Sequence, residues 1–183
     1  MARLVTRLLM LARTDASTPF AREPLLISDI IGEAYRQGCP ANRTIRMECQ
    51  GLESLEDAVV SGNADYLKQV LLIVLENACK YTPDDGKVTI RGKMRGHHLE
   101  ITIADTGIGI EQADFPRLFE RFYRAPNARS QPGTGLGLSI ARSIIEQHSG
   151  TISVESTPGR GSHFIISLPL LNAENSAFTD PLA

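Results

Sequence analysis

Leu99-Glu100-Ile101-Thr102-Ile103-Ala104 runs directly into Asp105-Thr106-Gly107-Ile108-Gly109-Ile110, and the rest of the chain is arranged around that junction. The first six residues alternate apolar and polar, the period of a half-buried strand. The next six put one carboxylate into a Gly-x-Gly turn. Glycines allow positive φ and a close approach of backbone to a flat ligand, and an aspartate accepts a hydrogen bond from an amino group. A lone Asp-x-Gly-x-Gly also fits an ordinary turn after a strand. Three further stretches give it weight: Glu76-Asn77-Ala78-Cys79-Lys80-Tyr81, Phe119-Glu120-Arg121-Phe122-Tyr123-Arg124 and Gly133-Thr134-Gly135-Leu136-Gly137-Leu138.

Composition sets the outer limits. A chain of 183 residues is long enough for one domain with short attachments. With 42% hydrophobic and 22% charged residues it is an ordinary globular sequence. The net charge of −2 leaves no nucleic-acid footprint. No apolar run is long enough to span a bilayer and no signal-peptide layout opens the chain, so a cytoplasmic placement is expected, with any membrane attachment through segments preceding this one. Cys39, Cys49 and Cys79 are odd in number and lack CxxC spacing, so neither a disulfide nor a zinc site is expected. His97 and His98 sit at a hairpin tip with no ligand spacing and read as surface residues.

Leading outward to the N-terminus, Met1, Leu4, Leu8 and Leu11 have the spacing of a helical seam. Residues 1–17 read as the end of a helix packed on a partner, or as an amphipathic helix on its own domain. Residues 18–24 form a linker, with Pro24 opening a helix over 25–37 striped by Leu26, Ile27, Ile30, Ile31 and Ala34. Short strands are expected at 44–49 and 58–60. Asn63 or Asp65 then caps a long helix over 64–81, whose core stripe is Leu67, Val70, Leu71, Val74, Leu75 and Ala78. Ile73, Asn77, Lys80 and Tyr81 share an adjoining stripe, either a solvated boundary or a functional edge, and Glu76 reads as a solvated acid on another face.

A hairpin over 87–93 and 98–104 is followed by an aperiodic stretch, 111–132, with a short helical patch at 115–122. Such irregular segments act as lids or binding loops, and Phe119, Phe122 and Tyr123 are expected to anchor this one. The glycine run opens a helix over 136–149 with Leu138, Ala141, Ile144, Ile145 and His148 inward, and exposed N–H groups at a helix start suit phosphates. Paired strands at 151–155 and 161–168 close the sheet, and 172–183 reads as a disordered tail. The glycine run follows no buried strand and no acidic residue closes a second strand after it, so it is not a dinucleotide fingerprint; a GxxxxGK[ST] loop is also absent.

The order of the four stretches resembles the ATP-binding catalytic domain of sensor histidine kinases, within the group that includes type II topoisomerases, Hsp90 chaperones and mismatch-repair ATPases. The likeness covers roughly 24–170. It implies an α/β two-layer sandwich of the Bergerat type: a mixed sheet of about five strands with three helices on one face. It also implies ATP and Mg²⁺ as ligands. Asp105 would accept the adenine amino group, with Gly107, Gly109 and Ile110 shaping the floor and Tyr81 and Tyr123 beside the nucleotide. Asn77 would ligate Mg²⁺, Lys80 would contact phosphate, and Arg124 would reach the terminal phosphate; Lys80 and Arg124 are thus the implied catalytic cations. Gly133, Thr134, Gly135, Leu136, Gly137 and Leu138 would cradle the phosphates, and Phe119 and Phe122 would seat the lid.

The resemblance further implies transfer to a histidine of the protein's own dimerisation and phosphoacceptor domain, a homodimer at full length, and relay to a response-regulator aspartate. No phosphoacceptor is expected in this chain, since His97, His98, His148 and His163 lack the acidic residue and proline that follow such a histidine. One departure stands out: the family reads Asn-x-x-x-Asn in the long helix, and here the first position is Ile73. That keeps open a nucleotide-binding module without transfer, and a serine kinase of the anti-sigma type, which shares the fold, is a second alternative.

Overall fold

The computed structural model describes residues 21–38, 44–129 and 131–171. The expectations for 1–17 and for the tail lie outside these residues.

The elements run β1 (Glu23–Leu26), α1 (Ile27–Gln37), β2 (Arg46–Gln50), β3 (Val59–Gly62), α2 (Ala64–Tyr81), β4 (Lys87–Arg95), β5 (His98–Asp105), α3 (Gly137–Gln147), β6 (Thr151–Thr157) and β7 (Gly161–Pro169). Five strands form a sheet in the order β2-β4-β5-β7-β6. It is mixed, since β2 runs parallel to β4 while the other pairs are antiparallel. β1 and β3 make a separate two-stranded sheet.

Alternation along β5 explains the layering. Leu99, Ile101, Ile103 and Asp105 are buried, and Glu100, Thr102 and Ala104 lie on the other face. The apolar faces of α1, α2 and α3 share one core with the inward residues of the sheet, which gives the two layers. Each fully buried Leu or Ile there contributes about 1.5–3 kcal/mol. α2 is central, packing against both α1 and α3. Its cap is Asn63, whose side chain accepts from the Tyr66 N–H at 3.2 Å.

Three boundaries differ from the sequence reading. Pro24 and Leu26 lie in β1, paired with Ser61 and Val59, so the first helix starts at Ile27 and Leu26 is 45% exposed. The strand at 58–60 joins β1 and stays out of the main sheet. In α3 the inward residues are Ile140, Ala141, Ile144 and Ile145, with Leu136 buried just before the helix and Leu138 only partly so.

The cysteines also need a correction. Cys49 is a free thiol and Cys79 is disulfide-bonded.

His148 closes the far end of the helical layer. It is 1% exposed, its Nδ1 donates to the Ile144 carbonyl at 2.7 Å, and its Nε2 accepts the Asn63 N–H at 3.1 Å. Burial holds its pKa below the usual histidine range, against the Ile144 hydrogen bond and with a smaller push from Arg22. The unfolded chain therefore takes up a proton near the ordinary value of about 6.5 that the folded chain refuses. Stability is expected to be flat above that pH and to fall as pH drops below it. Thermal melts across pH 5–8 check this, and His148→Gln should flatten the acidic limb.

Candidate functional site

The sheet ends, the last turns of α2 and the glycine run enclose a cavity of about 790 Å³. Its apolar floor and scattered polar groups suit a small-molecule ligand.

β5 delivers Asp105 to the cavity wall at 6% exposure. Its Oδ1 accepts the Gly107 N–H at 2.8 Å and the Ser162 N–H at 3.3 Å, leaving Oδ2 for a ligand. Burial raises its pKa, against these two hydrogen bonds and the nearby His163. Gly161, with φ of 97°, makes the approach possible, because a Cβ there would stand 1.9 Å from the Asp105 carbonyl oxygen. Gly109 has φ of 68°, and a Cβ there would meet the Thr157 carbonyl oxygen at 2.2 Å. Gly107 lies under the wall, tight against the Tyr81 carbonyl, which also accepts the Ile108 N–H at 3.3 Å.

The end of α2 supplies the second wall. Ile73, Glu76, Asn77, Lys80 and Tyr81 all line the cavity. The Lys80 Nζ donates to the Tyr81 hydroxyl at 2.9 Å and stands 4.5 Å from the centre of its ring. Glu76 corrects the sequence reading: it is on the wall, three residues after Ile73 and four before Lys80, the helical spacing of one face. Ile73 is 2% exposed and faces Gly137, where a Cβ would come within 3.2 Å of it.

The third wall comes from described residues between 118 and 138. Gly133, Thr134, Gly135, Gly137 and Leu138 line the cavity, and Leu136 is buried beneath. A Cβ on Gly133 would stand 2.9 Å from the Lys80 Nζ, so the glycine run lies directly over that cation. The Thr134 Oγ1 is a buried hydroxyl on the cavity wall with no hydrogen-bond partner among the described residues. Arg124 lines the cavity while its guanidinium donates to the Ala128 carbonyl at 2.7 Å and to the Gln131 carbonyl. Tyr123 and Ile110 also reach the cavity, and the Tyr123 hydroxyl donates to Asp114 at 2.6 Å. That hydrogen bond raises its pKa.

The expected helical patch at 115–122 is instead the end of a 3₁₀ helix, Gln112–Arg117, followed by turns, with a separate 3₁₀ turn at Pro126–Ala128. Proline at 116 and 126 rules out a regular helix across them. Phe122 is not an anchor: it is 66% exposed with φ of 63°, and its N–H donates to the Gly135 carbonyl at 3.0 Å. Phe119 is half-buried, while Leu118 packs on the core and Ala125 is buried. Asn127 and Ser162 are cavity residues that sequence reading missed. Ser162 reaches Asp105 only through strand pairing, which no local pattern announces. The signal for Asn127 is weaker still, a polar residue between Pro126 and Ala128.

Comparison with known proteins places this geometry. Residues 62–172 match the family described as "Histidine kinase-, DNA gyrase B-, and HSP90-like ATPase". The chain is 31% identical over 169 residues to the phosphate regulon sensor protein PhoR of Pseudomonas aeruginosa, covering 90% of this chain and 38% of that protein. It is 43% identical over 114 residues to the sensor-like histidine kinase SenX3 of Mycobacterium bovis, covering 61% of this chain and 28% of that protein. The chain thus spans well under half the length of these curated relatives. Among solved structures, the mycobacterial sensor histidine kinase MprB superposes with a TM-score of 0.73 at 30% identity, over 81% of this chain and 98% of that one. Full-length ShkA in complex with AMPPNP superposes at 0.77 with 24% identity, over 93% of this chain and 36% of that one, a likeness of fold.

Proposed function

The chain belongs to the histidine kinase-, DNA gyrase B- and HSP90-like ATPase family, and we propose that it is the ATP-binding catalytic domain of a sensor histidine protein kinase. One observation carries the reading: a buried carboxylate, a helix edge bearing Asn77 and Lys80, and a glycine turn meet in one cavity. Asp105 recognises the adenine amino group through Oδ2. Lys80 and Arg124 neutralise phosphate charge, and the glycine backbone and the Thr134 hydroxyl hold the phosphate oxygens. Transfer of this kind rests on positioning and electrostatics, with little covalent chemistry for the protein to do. The acceptor is a histidine in a dimerisation domain outside this chain, and a response-regulator aspartate receives the phosphoryl group in turn. Among the described residues, no helix is long and apolar enough to cross a membrane.

The donor set at the phosphate end fits Mg²⁺ with a small protein share. Asn77 would offer one amide oxygen, with Glu76 beside it on the wall, and the ion would take its remaining oxygens from phosphate and water. When bound, it would neutralise charge between the phosphates. The side chain at 73 adds nothing, since an isoleucine neither ligates a metal nor activates water; ATP hydrolysis by this chain is therefore expected to be negligible.

Calorimetric titration with ATP, with and without Mg²⁺, tests the reading, and absence of binding would refute it. Acid-labile label from γ-labelled ATP should appear on a supplied phosphoacceptor domain and hardly at all on the isolated chain. Ile73→Asn is expected to destabilise the fold by about 2–4 kcal/mol, because it loses buried apolar volume and places an amide there. The same variant should make ATP affinity more dependent on Mg²⁺. Melting curves and paired titrations read the two effects separately.

A further inference from the structure

The Gly107–Ile110 turn has its backbone groups committed on several sides. The Ile108 N–H goes to the Tyr81 carbonyl, the Ile108 carbonyl accepts the Gly159 N–H at 2.8 Å, and the Ile110 N–H goes to the Ser156 hydroxyl at 2.9 Å. These hold the turn to α2 and to the β6–β7 hairpin. The Gly109 carbonyl goes elsewhere: it accepts from the Asn127 Nδ2 at 3.2 Å. Asn127 belongs to the 3₁₀ turn Pro126–Ala128, so this bond joins the base-binding turn to the segment that carries Arg124.

The same short turn also holds Arg124. Its guanidinium donates to the Ala128 carbonyl, one residue beyond Asn127, and Ala125 between them is buried. Position along the base floor and position of the phosphate-reaching cation are therefore set by one piece of backbone. A donor is needed opposite a carbonyl, and asparagine supplies one where the isosteric aspartate cannot.

Resting on the ATP-binding reading above, we propose that Asn127 is a positioning residue: by donating to the Gly109 carbonyl it registers the 111–136 segment on the base-binding turn and so places Arg124 and the glycine run for the phosphates. It acts through the segment and does not touch the reacting atoms. Its effect must then grow with the number of phosphates on the ligand.

The test compares wild type with Asn127→Asp and Asn127→Gln in two assays. Affinities for AMP, ADP and ATP are measured by calorimetry; Asn127→Asp should weaken ATP about fivefold and leave AMP unchanged, and Asn127→Gln, which keeps a donor, should recover part of the loss. Limited trypsin digestion without nucleotide should cut the arginines of 117–129 faster in Asn127→Asp, at an unchanged melting midpoint. Equal loss for all three nucleotides, no loss for any, or unchanged cleavage would overturn the proposal. Failure of the wild type to bind ATP would refute the proposed function, and the digestion would still decide the tether.

Discussion

Asp105→Asn is expected to weaken ATP binding about 10- to 150-fold, the range for a hydrogen bond to a charged group, while the melting midpoint at pH 7 stays level or rises. Both halves follow from the same atoms. Oδ1 of Asp105 already takes the N–H groups of Gly107 and Ser162. An asparagine keeps those bonds by leaving its oxygen in that place, which puts its NH₂ where Oδ2 was. A donor then faces the adenine amino donor, and base recognition turns into a clash.

Stability moves the other way. Burial raises the Asp105 pKa, so its stabilising contribution belongs to the protonated form, complete below the unfolded value and lost as pH rises through the folded one. At pH 7 the buried carboxylate is a cost, and the neutral amide removes it. Loss of binding with a lowered midpoint would mean that Asp105 is structural. Unchanged binding would mean that adenine is read elsewhere. AMP and ATP should suffer alike, since only the base contact is altered.

How far this site could be read from sequence depends on what each residue's role requires. The strand 98–105 and the helix 64–81 were legible because alternation and a 3.6-residue stripe are local consequences of one buried face. Asp105, Asn77, Lys80 and the glycines stood out because their chemistry has few substitutes in such turns and helix ends. The β1–α1 boundary was hidden: Pro24 and Leu26 extend a helical stripe in sequence, and only pairing with β3 across some thirty-five residues makes them a strand. Phe122 looked like an anchor because aromatics usually are, yet the glycine turn holds its backbone left-handed and turns the ring out. Glu76 lies on the cavity wall because i+3 and i+4 neighbours share a helix face, which sets it between Ile73 and Lys80. Ser162 and Asn127 act through contacts between distant segments, which periodicity does not encode.

Gly135→Ala is expected to damage the other end of the ligand. Gly135 has φ of 72°, and a Cβ there would stand 2.6 Å from the Phe122 carbonyl carbon, 2.8 Å from its Cα and 2.8 Å from the Tyr123 carbonyl oxygen. All three are backbone atoms, so no rotamer change relieves the contact. The left-handed conformation adds strain of about 1–3 kcal/mol for any other residue. Two left-handed residues, Phe122 and Gly135, are held face to face by the Phe122 N–H bond to the Gly135 carbonyl. Forcing them apart shifts Arg124, two residues on, together with the N–H groups over Lys80. If that strain falls on the ligand-bound arrangement, ATP binding drops about 5- to 150-fold, while AMP, which reaches neither Arg124 nor the far end of the turn, is nearly unaffected. The contrast with Asp105→Asn is the decisive part: one variant loses AMP and ATP together, the other loses ATP selectively. Calorimetry with both nucleotides reads that difference directly, and an equal loss of AMP and ATP in Gly135→Ala would place the glycine in the fold and not in the phosphate cradle.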